Sequence, residues 1–436
     1  MFSHVYKRYA LITLTTVYTL SFMDRIIMGM LMQPIKEELL LSDTQLGFLT
    51  GIAFALFYAM LGIPIARWAD RGNRVTIIST AMALWGGMVA LCGMANSFLQ
   101  MLLVRIGAAV GEAGCMPPAY SLIGDYFSVS ERTRALSIFM AGIPISILIS
   151  FLFAGWVNEL YGWRAAFLVI GVPGLLMAIL VKLTLHEPRA SGGKKAVSTQ
   201  SQQPLYEVFI SLWRQQSYRY LVIALTLVNF VGIGVGQWFA TFFIRNHGME
   251  TGELGLWMGL IGGISGIVGA FVGGYLCDRY MANNARWQLQ FISVAVALIF
   301  PLNLLMLFSP LKQLSLLYLI PINILILFFY GPVMSLLQQL VTDRVHAISV
   351  AITLLILNLI GMGMGPQVVG ILSDLLTPTL GSAEALRMSM AIASLGALGA
   401  AHYFCVAGKT ISLDLRSVEK KRELQAHLME PPISFS

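Results

Sequence analysis

Twelve times along this chain an apolar run recurs that is long enough to cross the ~30 Å hydrocarbon core of a bilayer, from residues 10–33 to residues 387–408. Inside lipid, every backbone N–H and C=O must be satisfied within the chain, so runs of this length fold as helices. The expected fold class is an all-α polytopic membrane protein with 12 transmembrane helices. Composition agrees, at 57% hydrophobic and 11% charged, against about 25% charged in a soluble domain. The short basic start (Lys7, Arg8) leads into a run too long for a signal sequence, so no cleavable signal is expected. Cys92, Cys115, Cys277 and Cys405 fall in different runs and match no zinc or CxxC spacing.

Charge in the loops sets the orientation. Of the 28 Lys and Arg residues, Lys36, Arg164, Arg245, Lys312 and Arg387 fall in one set of loops. Arg25 and Arg105 lie inside runs, Lys182 lies at the end of the sixth, and the other 20 share the side of the N-terminus. Both termini are therefore expected in the cytoplasm, with the chain in a bacterial inner (plasma) membrane. The net charge of +7 follows from this topology and calls for no nucleic-acid partner. A monomer is expected.

The longest cytoplasmic connection divides the chain into a six-helix half at 1–185, a linker at 186–218, a second six-helix half at 219–409 and a tail at 410–436. Residues Ser191 to Gln203 read as a flexible linker. Beyond them Leu205, Val208, Phe209, Leu212 and Trp213 share one helical face, which suits an interfacial helix. The tail, basic at Lys420-Lys421-Arg422, reads as an amphipathic helix or an unstructured segment.

The two halves repeat. Gly47, Gly51, Ala55, Ala66 and Asp70-Arg71 recur at a constant offset of 208 as Gly255, Gly259, Gly263, Gly274 and Asp278-Arg279. Small residues every four positions let helix backbones approach closely. Related six-helix halves with a site between them near the midplane are the plan of the major facilitator fold. The stretch from Gly62 through Asp70-Arg71-Gly72-Asn73-Arg74 resembles the signature loop of the major facilitator superfamily, with Asn73 in place of an Arg. That resemblance implies a charge-relay latch at the cytoplasmic helix ends, and Gly62, Asp70, Arg71, Arg74, Asp125 and Arg134 are its candidates here.

Four charges interrupt the apolar runs: Asp24 and Arg25 in the first, Arg105 and Glu112 in the fourth. A charge at the centre of a membrane helix costs about 2.5–3.5 kcal/mol on insertion scales, so it faces a partner or a wet cavity. Arg105 and Glu112 are seven residues apart, hence on one helical face, roughly 10 Å apart along the axis. Runs one and four are antiparallel, and counting residues from their ends puts Asp24 and Arg105 at similar depth. The four side chains can form static pairs, Asp24–Arg105 and Arg25–Glu112, that only fix packing. Alternatively, Asp24 and Glu112 bind and release a proton while Arg25 and Arg105 hold an anionic head group. The functional reading is preferred, because four charges in one half exceed what packing needs. In the second half, at an offset of 218, Arg105 maps to Asn323, Glu112 to Tyr330 and Asp125 to Asp343. Tyr330, Asn229, Gln237 and Asn358 are the polar candidates for the other wall, with His402 as a further polar residue. One charged wall facing an apolar one suits an amphiphile with an anionic or zwitterionic head.

Three stretches carry a narrower resemblance: Arg105-Ile-Gly-Ala-Ala-Val-Gly-Glu112, Pro118-Ala-Tyr-Ser-Leu-Ile-Gly-Asp125, and Arg134 through Pro144. With Met23-Asp24-Arg25 and Glu187-Pro188-Arg189, they resemble the Spinster family. The resemblance implies that Asp24, Arg25, Arg105 and Glu112 work together on substrate and proton, and that the cargo is of the lysophospholipid or sphingolipid class. After Ile143-Pro144 the chain has Ile145-Ser146 where that family commonly has glycines. The expected partners are thus membrane lipids, an amphiphilic small-molecule substrate and protons. Two other carriers fit the same residues, an organic-anion/proton symporter and an uncoupled lipid facilitator. An intramembrane protease built on Gly263-Ile264-Ser265-Gly266 and His402 is the remote alternative. No HExxH, P-loop or Rossmann fingerprint occurs, and no cofactor or metal is expected.

Overall fold

The computed structural model describes residues 3–188, 205–281, 284–341 and 345–429, without the side chains of Ile63, Ala66, Asp70, Leu205, Asp278, His346, Ala347 and 421–429. The expected linker at Ser191 to Gln203 and the mapped Asp343 lie outside the described residues, as does the Asp70 side chain.

Eleven described helices are long and apolar enough to span a membrane. One of them, Val129–Thr184, has 56 residues and would reach ~84 Å at 1.5 Å per residue, nearly three times a ~30 Å core. It folds back at Gly162, whose φ of 81° and ψ of 165° are non-helical; a positive φ there is open to glycine and strained for other residues. Counting it as two crossings restores the expected twelve. They are α1 (His4–Leu39), α2 (Asp43–Ala69), α3 (Arg74–Cys92), α4 (Phe98–Tyr126), α5 (129–161), α6 (163–184), α7 (Gln216–His247), α8 (Thr251–Cys277), α9 (Ala285–Phe308), α10 (Lys312–Gln339), α11 (Ile348–Leu380) and α12 (Ser382–Lys420).

Local sequence explains several ends and breaks. Ser3 caps α1 by accepting from the Tyr6 N–H. Ser42 and Gln45 form a capping box that starts α2. α4 is interrupted between Ala113 and Met116, where Pro117 and Pro118 lack the N–H groups that would bond the preceding turn. The interruption leaves Glu112 on the last turn before it. In α7 and α11 the helix widens into π turns at Phe230–Val235 and Leu357–Met364. These segments pack on each other, with Gly361 against Asn229 and Gly234 against Gly365.

Within the first half α3 packs on α6, α2 on α4 and α1 on α5 and α6; in the second, α9 and α7 pack on α12 and α8 on α10. Between halves, α5 lies against α8 and α2 against α11. The repeated glycines make those two seams. Gly47 abuts the Pro366 backbone, Gly51 that of Gly363, and Gly255 that of Phe151, so that a Cβ on any of them would collide with main chain. Nearer the termini Gly62 of α2 and Gly274 of α8 face open space, with no other atom within 4 Å of where a Cβ would stand. The halves are therefore closed at the end remote from the termini and diverge toward the termini.

The helix Leu205–Arg214 precedes α7, buries Val208 and Leu212 and packs on α7 and on the helix His346–Ile356 that begins α11. The last helix continues without a break from Gly396 to Met429, so the start of the tail is an extension of α12.

Candidate functional site

The antiparallel meeting of α1 and α4 produces both ion pairs that the spacing permits. Arg105 Nη1 donates to Asp24 Oδ2 at 2.5 Å, and Arg25 Nη2 lies 2.6 Å from Glu112 Oε1. Asp24, Arg105 and Glu112 are buried, whereas the Arg25 side chain keeps 16% of its surface. Phe54 of α2 contacts both cations, with the Arg25 and Arg105 guanidinium carbons 4.8 and 5.1 Å from its ring centre. Tyr58 stacks on Phe54 and gives Arg25 a second face at 4.8 Å. Such contacts are worth about 0.5–2 kcal/mol each once desolvated.

Each pair engages only part of its hydrogen-bonding capacity. Asp24 Oδ1, Glu112 Oε2, Arg25 Nε and Arg105 Nε have no hydrogen-bond partner among the described residues. A buried polar atom left unsatisfied costs about 1–3 kcal/mol, more when charged. The two carboxylate oxygens are thus left as acceptors, and the two Nε–H groups as donors, with nothing from the described residues bound to them.

Arg25 also reaches the other half. Its Nη1 lies 3.2 Å from Met362 Sδ in the second π turn, and Gln237 Nε2 donates to its carbonyl at 3.4 Å. Here a cavity of about 270 Å³ opens between the halves. Its walls come from α1, α5, α7, α8, α10 and α11 and include Phe22, Phe151, Met258 and Ile326. Arg25 is the charged group among the described lining residues, and Gln237 and Asn323 are the two amides.

The polar candidates of the second half separate on this geometry. Gln237 lines the cavity, as does Asn323, the offset partner of Arg105. Asn229 donates to the Leu225 carbonyl and sits under Gly361, and Asn358 lies in the π turn. Neither of them lines the cavity, nor does the 36% exposed Tyr330.

Of the latch candidates, Arg74 is fully buried. It lies 2.6 Å from Asp125 Oδ2 and 2.5 Å from Glu187 Oε1, and it donates to Ser121 Oγ at 2.8 Å. Its backbone N–H also donates to Glu187 Oε2 at 2.6 Å. Arg74 thus ties the ends of α3, α4 and α6 within one half. Arg71 and Arg134 are exposed. Glu187 was not among the site candidates, although Glu187-Pro188-Arg189 stood out in the sequence.

The sequence also gave no hint of the seal at the remote end. Asp43 is fully buried and accepts a bidentate pair from Arg245 at 2.7 and 2.8 Å, a bond from Lys36 Nζ at 2.5 Å and one from Ser373 Oγ at 2.6 Å. Asp374 accepts from the Asp43 and Thr44 N–H groups at 3.0 and 2.7 Å, and Gln33 Oε1 accepts from Arg245 Nε at 2.6 Å. Along the other seam Asn158 donates to Thr251, and the Gly252 N–H donates to Glu159. Between described residues, the hydrogen bonds joining the halves all fall from Arg25 outward to this end.

Comparison with known proteins follows the same lines. Residues 14–366 match the profile of the Major Facilitator Superfamily. An MFS-type efflux pump of Mycolicibacterium smegmatis is 31% identical over 398 residues, which is 91% of each chain. A probable L-galactonate transporter of Escherichia coli is 27% identical over 62% of this chain and 61% of its own. Among solved structures, a bacterial homologue of the human lysosomal transporter Spinster, in an inward-facing and unoccupied conformation, superposes with a TM-score of 0.85. It is 30% identical and covers 95% of this chain and 99% of its own.

Proposed function

Since the chain belongs to the Major Facilitator Superfamily, in its Spinster family, we propose that it carries an amphiphile with an anionic or zwitterionic head, of the lysophospholipid or sphingolipid class, by proton-coupled alternating access. It is an integral membrane transporter and not an enzyme, so the protease reading of Ser265 and His402 lapses. The observation that carries the proposal is the Arg25 guanidinium, exposed on one side to a cavity with no other charge among its described lining residues and held on the other by Glu112. A head group receives the cation and the Gln237 and Asn323 amides, while a tail lies on Phe22, Phe151, Met258 and Ile326. Arg25 cannot serve Glu112 and an anion equally, so protonation of Glu112 frees it for the head. Asp24, paired with Arg105 behind Phe54, is the second proton acceptor. Asn229 and Asn358 shape the facing wall through the π turns.

In the oriented membrane the termini lie inside, so the divergent end faces the cytoplasm. Cysteines introduced at positions 192 and 425 should react only with reagent on the cytoplasmic side; labelling from the opposite side overturns this topology. In the opposite state, Gly62, Asp70, Arg71, Arg74, Asp125 and Arg134 form the latch that closes the inner end.

A second reading, an organic-anion/proton symporter, draws on the similarity to the probable L-galactonate transporter. The experiment is ligand-induced thermal stabilisation of purified protein with lysophospholipids, sphingolipids and small organic acids. Lysolipids are expected to raise Tm by several degrees, and Arg25→Ala to remove most of that rise. Stabilisation by small acids alone would replace the lipid reading with the second one.

A further inference from the structure

Two cavities on the flank of the first half join into one groove. The first, of about 490 Å³, lies at the membrane surface on the side of the termini and is ringed by His4, Lys7, Arg8 and Arg134. The second, of about 480 Å³, runs along α1 between α5 and α6. Ile12 and Ile138 line both, so the two adjoin. Among the described residues, none from the second half lines either cavity, which places the groove outside the transport cavity.

The upper part is cationic and under-matched. Its one carboxylate, Glu131, is occupied by Lys7 Nζ at 3.0 Å and by Ser128 Oγ at 2.9 Å. Arg8 and Arg134 are exposed and make no ion pair or hydrogen bond with a described residue.

The lower part is apolar despite three threonines. Thr15, Thr16 and Thr19 donate their hydroxyls to the carbonyls four residues back, at 2.8, 3.0 and 2.9 Å, which leaves no free donor for water. The rest of the trough is aliphatic or aromatic, as at Leu20, Ile149, Phe153 and Pro173. From Ile12 to Met23 it extends ~17 Å along α1, about half of a ~30 Å core. That is one leaflet.

We propose that this groove binds a single anionic phospholipid of the bilayer, with its phosphate among Lys7, Arg8 and Arg134 and one acyl chain in the α1–α5–α6 trough. A soluble phosphate would leave the trough unfilled, and a zwitterionic lipid would bring a cation of its own beside Arg8 and Arg134. Basic side chains at a membrane surface favour anionic lipid in this way.

The test is native mass spectrometry of the full chain released from micelles holding equal phosphatidylglycerol and phosphatidylcholine. One phosphatidylglycerol should stay bound, with roughly thirtyfold preference, the size expected for two unmatched basic groups. The double variant Arg8→Gln/Arg134→Gln should bring the preference to parity. Thr19→Trp, which fills the trough while leaving the charges, should abolish retention of lipid; Ile149→Trp tests the same point from the facing wall if Thr19→Trp lowers thermal stability. Equal retention of both lipids by the unaltered chain, or undiminished retention by the trough variants, overturns the proposal. So does displacement by millimolar glycerol phosphate, which would make the groove a site for soluble phosphate.

Discussion

Asp43→Asn is expected to unseal the remote end and move the population toward the state that is closed near the termini. The carboxylate binds two cations, Arg245 and Lys36, while carrying no exposed surface of its own. Removing one partner of a buried ionic cluster costs about 3–5 kcal/mol, because charge is left uncompensated. At about 1.4 kcal/mol per decade, even the lower figure shifts a two-state equilibrium by roughly 100-fold. Spin labels at Leu40 and Leu380 should move apart while labels at Val129 and Tyr280 approach each other. Asp70→Asn, at the other end, should move both distances the opposite way. Unchanged distances in Asp43→Asn would reduce the cluster to packing.

The second large effect concerns the charges of the cavity. Asp24→Asn and Glu112→Gln preserve volume but cannot carry a proton. In proteoliposomes with an imposed pH gradient, each is expected to lose accumulation by tenfold or more and to bind ligand with little dependence on pH between 5.5 and 8.5. Arg105→Ala should act differently and weaken binding itself, since it leaves Asp24 buried and unpaired, a loss of about 3–5 kcal/mol in such settings. If both carboxylate variants accumulate substrate with unaltered pH dependence, the two pairs are struts and the carrier is an uncoupled facilitator.

What was readable in the sequence follows from helix geometry. A fixed rise per residue turns position in a run into depth, and that put Asp24 level with Arg105; it left Glu112 deeper, so the Arg25–Glu112 pair was one arrangement among those the four charges allow. The 208-residue offset found the glycines, and they form the two seams between halves. It could not say which glycines are buried in the seams, because that depends on the conformational state. The remote seal was missed because Lys36, Asp43 and Arg245 look like ordinary loop charges when counted for topology, and Asp43 and Arg245 are brought together only by the packing of the two halves. Arg74 was read as part of the signature loop and its latch; its burial depends on Glu187, which returns from beyond α6. The π turns carry no periodic signal, since they arise where Gly361 and Gly365 fit against α7.

Phe54 gives α2 a role beyond lining a seam. An aromatic ring is electron-rich on its faces, so one side chain can attract two neighbouring guanidiniums at once. The same helix begins at Asp43, in the seal. A tilt of α2 away from α11 would carry the ring with it and take from Arg25 and Arg105 their shared neighbour. The charge cluster would thereby register whether the far end is shut, through a shared helix rather than a bond from one to the other.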